Sequence, residues 1–241
     1  QQVNKLVFFP WSAIMKLQIE PIHVKKFLLS LSVIIFIALH IGNLSRISTS
    51  DAQILSPVKF SWSASVDRSE LLSYPPDPTS DISWSAGTGG VVDIQTAFNN
   101  ARTLENSQLG TSMPMMTLPD QTQWNGMSDD EKALWLINRE RIDRGLEPLD
   151  GLETNVNGVA QYYADYLLDN NTWGHSADGR SPWDRLNDNP AIGACHDFLS
   201  IAENLAVFVT SGSSISLPIE RSIYMWMYDD AGSTWGHRHA I

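Results

Sequence analysis

The segment Asn155-Val-Asn-Gly-Val-Ala-Gln-Tyr-Tyr-Ala-Asp-Tyr-Leu-Leu168 carries the most regular hydrophobic pattern in the chain. Its apolar residues follow the i, i+3, i+4, i+7 spacing of one helical face, so the segment predicts an amphipathic helix with one buried side. Asn155 is expected to cap the start of this helix, and Asn170-Asn171 to end it. An ordered domain is therefore expected in this half of the chain.

Several neighbouring segments carry signals for further elements of this domain. Ser128-Asp-Asp-Glu131 has the pattern of a capping box and predicts a helix that ends near Gly145. Ser181-Pro182 is typical of a helix start, and Pro218 opens a segment with Ile219, Ile223, Trp226 and Met227 on one side. Residues 198–209 are apolar with β-branched residues towards their end, which predicts a buried segment with strand character.

The N-terminal residues 1–52 have the features of an export leader. Two lysines precede an apolar run at 27–39, and thirteen residues are too few to span a bilayer core of about 30 Å. The run fits the apolar part of a signal peptide, with Ser50-Asp-Ala52 as a small-x-small cleavage site. The alternative is an uncleaved anchor, so we expect a protein that is secreted or held at the membrane facing outward.

Residues 53–127 are predicted to form a mostly irregular spacer. Residues 56–90 contain nine Ser, four Pro and three Gly, which is too little apolar material to offset the entropy of folding. One irregular helix is expected over 91–108. The spacer would hold residues 128–241 away from a membrane if the leader is retained.

Charge and cysteine content exclude several classes of protein. The chain has 27 acidic and 16 basic residues and a net charge of −11, which disfavours nucleic-acid binding. Cys195 is the single cysteine, so an internal disulfide and a cysteine-cluster metal site are excluded. Its neighbour His196 suggests a nucleophilic pair, although adjacent side chains rarely face each other and an inert thiol is the simpler interpretation.

A candidate functional centre combines His175, Glu203, Asp229 and His237. Glu203 lies in the apolar segment Ile201-Ala-Glu-Asn-Leu-Ala206, where a carboxylate needs a partner because desolvation penalises its charge. His175 and His237 could supply that partner, either by holding a divalent cation such as zinc or in a hydrogen-bonded network without metal. The histidines could equally be solvated or structural. On a helix, His237 and His239 would point in different directions, whereas on a strand both could face one site.

Four short motifs in this half of the chain resemble those of the CAP superfamily, the group of cysteine-rich secretory, antigen 5 and pathogenesis-related proteins with their bacterial relatives. The similar segments, in chain order, are Leu134-Trp-Leu-Ile-Asn-Arg-Glu-Arg141 with Gly145-Leu-Glu-Pro-Leu149, then Gly174-His-Ser-Ala-Asp-Gly-Arg-Ser-Pro182, then Ile201-Ala-Glu-Asn-Leu-Ala206, and finally Trp226 with Gly236-His-Arg-His-Ala-Ile241. The resemblance covers residues 128–241 and is of the bacterial type.

The resemblance implies an α+β fold, a three-layer α-β-α sandwich with a central antiparallel sheet. It also implies a cavity lined by His175, Glu203, His237 and Asp229, with Asp230 able to replace Asp229. His175 and His237 would be the metal ligands if zinc or another divalent cation binds. Family members usually continue beyond the last motif, so the domain is expected to be incomplete at its C-terminal end.

Two functions are consistent with these features. The first is an exported binding or interaction module whose ligand is a lipid, a cell-envelope component or a protein. The alternative is a metal-assisted extracellular hydrolase acting on peptides or envelope polymers, in which His175 and His237 bind the ion and Glu203 is the general base. The resemblance implies no general catalytic activity, so whether the protein is an enzyme stays open.

Overall fold

Helices joined by turns make up the part of the chain that the computed structural model describes, which is residues 76–194, 201–208 and 215–241. The leader at 1–52, with its apolar run, and the pair Cys195-His196 lie outside these residues. None of the described helices combines the length and apolar character needed to cross a bilayer. In chain order the helices are α1 (Val91–Leu109), α2 (Gln121–Gly126), α3 (Asp129–Asp143), α4 (Thr154–Asp169), α5 (Pro182–Asn187), α6 (Pro190–Gly193), α7 (Pro218–Tyr228) and α8 (Gly236–Ala240), with a 3-10 turn at Ala231–Ser233.

Local capping chemistry sets most of the helix boundaries. Ser128 and Ser181 each form a capping box with an acidic residue three positions later. The sequence predicts the box at Ser128 and, from the Ser-Pro pair, the helix start at Ser181. Gly145 has φ 78°, a left-handed conformation that suits glycine just after the end of α3. One cap differs from the prediction: the side chain of Glu153, not Asn155, accepts a hydrogen bond from the backbone of Val156 and caps α4.

The main hydrophobic core forms where α1, α2, α3 and α7 pack together. Its buried residues include Phe98 of α1, Trp124 of α2, Ile137 of α3 and Tyr224 of α7. The helix predicted over 91–108 is present as α1, but it belongs to this core, which the prediction of a mostly irregular spacer over 53–127 did not anticipate. Four buried residues of α1 at helical spacing, Ile94, Ala97, Phe98 and Ala101, explain why this helix packs firmly.

A network of buried ion pairs, here called the core ion cluster, crosses this core. It joins α1, α3, the residue that follows α3, and α8. Its members, in chain order, are Arg102, Glu105, Glu140, Asp143, Arg144 and Arg238. Glu140 is completely buried, and Arg102 approaches it at 3.0 Å. Burial alone would raise the pKa of Glu140, but the charges of Arg102 and Arg144 outweigh it and lower the pKa to about 2.

A smaller core lies beneath α4, α5 and α6. Val156, Leu186 and Ile192 are its buried members, and Val159 and Ile201 pack against them. This core joins α4 to the segment 201–208, and it therefore supports the part of the chain that contains Glu203.

The predicted three-layer sandwich with a central antiparallel sheet is wrong for the described residues, which contain no strand. The segment 201–208 is neither helix nor strand, and the contacts that hold it come from side chains. Asn204 donates from Nδ2 to the backbone oxygen of His237 at 2.9 Å, and Trp226 donates from Nε1 to the backbone oxygen of Leu205 at 3.4 Å. A strand requires a second backbone to complete its ladder, so apolar and β-branched composition was not sufficient to produce one here.

Candidate functional site

His175 lies on the loop between α4 and α5 and pairs with a carboxylate from a distant segment. Its Nδ1 is 2.9 Å from Oε1 of Glu203, and half of its side chain (51%) is exposed. When imidazole is neutral, a carboxylate at Nδ1 fixes the proton there and leaves Nε2 as an acceptor. Among the described residues, Nε2 of His175 has no hydrogen-bond partner, so it is available to a ligand.

Arg185 of α5 holds Glu203 in this position. Its Nη2 donates to both carboxylate oxygens of Glu203, at 3.0 and 2.8 Å, and also to the backbone oxygen of His175 at 3.0 Å. Its Nη1 donates to Asp178 at 3.0 Å. The side chain of Arg185 is only 2% exposed, so these charge-assisted bonds form away from water, where they are stronger.

Tyr163 of α4 forms the floor of the site. The guanidinium of Arg185 lies over its ring, 3.3 Å from the centroid. The hydroxyl of Tyr163 donates to the backbone oxygen of Gly174 and accepts from the backbone nitrogen of Ala177 at 3.0 Å, which fixes the loop on both sides of His175. Burial raises the pKa of Tyr163, so the hydroxyl stays protonated and able to donate at neutral pH.

His237 of α8 is held by a different carboxylate. Its Nδ1 lies 2.6 Å from Oδ1 of Asp230, whose Oδ2 accepts from the backbone nitrogen of His237 at 2.9 Å. The ring of Trp226 stacks against the imidazole, with 6.4 Å between centroids and 22° between planes. Asp230 is buried and 27% of the His237 side chain is exposed, so again a buried acid orients a more exposed histidine.

Asp230, which the resemblance gives only as a replacement for Asp229, is the carboxylate that contacts His237. Asp229 ends α7 and lies near two other acidic residues. Burial, with the negative charges of Asp81 and Asp230, raises the pKa of Asp229. The two consecutive residues therefore differ in their surroundings: Asp229 lies near other negative charges, and Asp230 is paired with an imidazole.

The segment 201–208 connects the two histidine–carboxylate pairs. Glu203 binds His175, and the next residue, Asn204, binds the backbone oxygen of His237. His239, two residues further along α8, pairs instead with Asp77 at 3.0 Å, as the predicted divergence of His237 and His239 on a helix requires.

Metal ligation by these residues stays a prediction. No group of three or more His, Cys, Asp and Glu side chains within the described ranges is arranged so that it could hold a metal ion. The chemistry of each pair is nevertheless that of a metal-binding histidine, because such histidines usually donate their second ring N–H to a carboxylate. His175 and His237 would offer Nε2 as the ligand atom.

A small pocket opens beside Glu203. Its apolar wall comes from α4, α5 and residues 201–202, and Arg185 and Glu203 form its polar side. The apolar residues are Val156, Val159, Ala160, Pro182, Leu186, Ile201 and Ala202. The cavity volume of about 20 Å³ accommodates one water molecule. The pocket therefore suits a small group at the end of a larger ligand.

Sequence reasoning missed Arg185, Tyr163 and Asn204. Arg185 follows a helix start that the sequence identifies, but nothing local indicates that it faces Glu203, 18 residues further along the chain. Tyr163 belongs to the predicted buried face of α4, and its hydroxyl contact with the loop depends on how that loop turns back. Asn204 lies in the motif at residues 201–206, where a polar side chain among apolar neighbours was the one local indication that it needs a hydrogen-bond partner.

Comparison of the chain with family models, curated proteins and solved structures finds no match in any of the three.

Proposed function

We propose that this chain is an exported binding protein, related to the CAP superfamily through its four motifs, whose recognition site consists of the two histidine–carboxylate pairs. The observation that carries the proposal is that Glu203 and Asn204, consecutive residues of one motif, contact His175 and His237 of two others. Only the motif residues enter the proposal, not the sandwich architecture, which the described residues do not form.

The site is suited to binding because both histidines are oriented while remaining accessible. Each Nδ1 is engaged by a carboxylate, so each Nε2 is left as an acceptor or ligand atom. The small apolar pocket next to Glu203 adds a non-polar contact. The expected partner is an extracellular molecule, a lipid, cell-envelope component or protein, that presents a hydrogen-bond donor or a bound cation to these nitrogens.

Cell fractionation of the tagged full-length protein tests export. The protein is expected in the medium or the cell envelope, either with the leader removed or with it retained as an anchor. A soluble cytoplasmic pool with an intact N-terminus would contradict the proposal.

Zinc titration by calorimetry, on the full chain at two pH values, tests the site with a defined probe. Binding is expected to weaken in His175→Ala and His237→Ala and to weaken at the lower pH, because imidazole must lose its proton to bind a metal. His239→Ala is the matched control, since His239 lies on the same helix as His237 but pairs with Asp77. Equal affinities in the three variants would show that the two pairs do not form a common site.

A metal-assisted hydrolase is the second candidate, favoured by the carboxylate behind each histidine, which is the usual support of a metal ligand. Both oxygens of Glu203 already accept hydrogen bonds from Arg185, so in a hydrolase Glu203 would need to exchange one of these bonds to act as a base. Metal-dependent hydrolysis of a peptide or envelope polymer that is lost in Glu203→Gln and His175→Ala would support this candidate over the first.

A further inference from the structure

We infer that Arg185 is a positioning residue for the recognition site: it fixes Glu203, and through Glu203 it sets the tautomer and direction of His175. The inference rests on the proposed function, in which the Nε2 atom of His175 meets the ligand. It assigns to Arg185 a role that neither the motifs nor the spacing of histidines indicated.

Arg185 contacts both segments that meet in the His175–Glu203 pair. One nitrogen, Nη2, bonds both oxygens of Glu203 on the segment 201–208 and the backbone oxygen of His175 on the loop. The other, Nη1, bonds Asp178 and the backbone oxygen of Arg180, both at 3.0 Å and both on the loop. A single guanidinium therefore joins the loop to the segment that carries Glu203.

The surroundings of Arg185 leave its side chain little freedom. It is 2% exposed, and its guanidinium lies over the ring of Tyr163, 3.3 Å from the ring centroid. A planar fork with five donors makes all these contacts at once, which the point charge of a lysine does not do. We therefore expect the geometry of the site to depend on an arginine at this position and not only on a positive charge.

The consequence for His175 follows from its exposure. With half of its side chain in water, the imidazole is only partly enclosed by its neighbours. Within the described residues, the polar contact that constrains the ring is the one from Nδ1 to Glu203, and Glu203 itself is directed by Arg185. Without Arg185, Glu203 would turn towards water, and neutral His175 would populate both tautomers.

Nitrogen-15 NMR of the histidine rings in the full, metal-free chain at alkaline pH tests the inference, because the ring nitrogen shifts distinguish the two neutral tautomers. The resonances of His175 are assigned by their loss in His175→Gln. In the unaltered protein we expect a single tautomer with the proton on Nδ1. In Arg185→Gln and Arg185→Lys we expect this single-tautomer signature to be lost while that of His237 is retained.

Arg180→Gln is the matched control, because Arg180 also pairs with Asp178 but contacts neither His175 nor Glu203. It is expected to keep the signature of His175. A retained signature in a folded Arg185→Lys, or an equal loss in Arg180→Gln, would overturn the inference. The unaltered protein provides a test that needs no variant: mixed tautomers or a proton on Nε2 there would also overturn it.

The experiment separates this inference from the proposed function. The tautomer is measured without ligand, so it can be correct even if zinc titration and fractionation contradict the binding role. Conversely, a binding site confirmed by His175→Ala and His237→Ala, with no effect of Arg185→Lys on the tautomer, would leave the proposed function in place and remove the role of Arg185.

Discussion

The core ion cluster and the site around His175 are both built from arginine–carboxylate pairs, but they differ in their exposure to water. In the core ion cluster, Glu140 and Arg102 are completely buried, and their opposite charges lie in contact. At the His175 site, Arg185 is as buried as these residues, Glu203 is 17% exposed and His175 is 51% exposed. Exposure increases stepwise from the arginine to the histidine.

This difference indicates what each region contributes. Charges sealed in a core cannot meet a ligand, and breaking one of their pairs leaves an uncompensated charge in a region of low dielectric. The gradient at the His175 site instead keeps the orienting group buried and presents the oriented group to solvent. The first arrangement holds helices together, and the second orients one exposed imidazole.

The largest expected effect is that of Glu140→Gln, which removes the carboxylate between Arg102 and Arg144. Loss of one partner from a buried pair costs about 3–5 kcal/mol, so the free energy of unfolding in urea should fall by about that amount. The same change at the other region, Glu203→Gln, should cost about 1–3 kcal/mol, because Arg185 keeps its bonds to Asp178.

Asp129→Asn is the control for this pair of variants. Asp129 also lies on α3, but its side chain is 61% exposed, so its loss should change the unfolding free energy by less than about 1 kcal/mol. Equal losses for Glu140→Gln and Glu203→Gln would remove the distinction between the two regions.

Acid should destabilise the protein through Glu140. Its pKa of about 2 in the folded state lies below the ordinary value of 4.5, so its ionised form contributes stability that is fully present above pH 4.5. This contribution, on the order of 3 kcal/mol, is lost as the pH falls from about 4.5 to 2. Unfolding free energies measured across this interval should show the loss, and Glu140→Gln should show a correspondingly weaker dependence on pH.

Trp124→Phe should have an intermediate effect. The indole Nε1 of Trp124 donates to Glu220 at 2.9 Å, and both residues are buried. Phenylalanine keeps the aromatic packing but removes the donor, which leaves a buried carboxylate oxygen unsatisfied at a cost of about 1–3 kcal/mol. Thermal unfolding that is unchanged in this variant would show that α2 is not held to α7 by this bond.

The smallest effect is expected for Asp77→Asn. Asp77 pairs with His239 at 3.0 Å, but the two side chains are 28% and 47% exposed. A pair in contact with water contributes less than about 1 kcal/mol, and less still at high salt. The free energy of unfolding, measured by denaturation at low and high salt, should therefore differ little between this variant and the unaltered protein. A large loss of stability in the variant would show that this pair stabilises the fold as strongly as the pairs of the core ion cluster.

The features that the sequence predicts correctly are those formed by a few neighbouring residues. The starts of α3 and α5 were predicted because the capping box at Ser128 and the Ser-Pro pair at Ser181 are each complete within four residues. The amphipathic pattern of α4 and the start of α7 at Pro218 were also local, and both helices are present. The predicted sheet is absent from the described residues because strand pairing is not local: residues 201–208 have the composition of a strand, yet the side chain of Asn204 donates to the backbone of His237 and the side chain of Trp226 donates to the backbone of Leu205.

The candidate site shows the same division. Residue type and apolar surroundings singled out His175, Glu203 and His237, and the structure places Glu203 against His175. The choice between Asp229 and Asp230 depended on how the chain turns after α7, which no local pattern encodes. The ranges 53–75 and 1–52 lie outside the described residues, so the leader and the first part of the spacer stay predictions.

What the sequence determined by itself is thus the starts of α3, α5 and α7, the amphipathic face of α4 and the residue types that could form a site, because caps and hydrophobic periodicity act over a few neighbouring residues. Tertiary structure alone decided that α1 is part of the core, that Asp230 is the partner of His237 and that Arg185 holds Glu203. These features join residues distant in the chain, and their free energy comes from burial and charge pairing that exist only after the helices have packed.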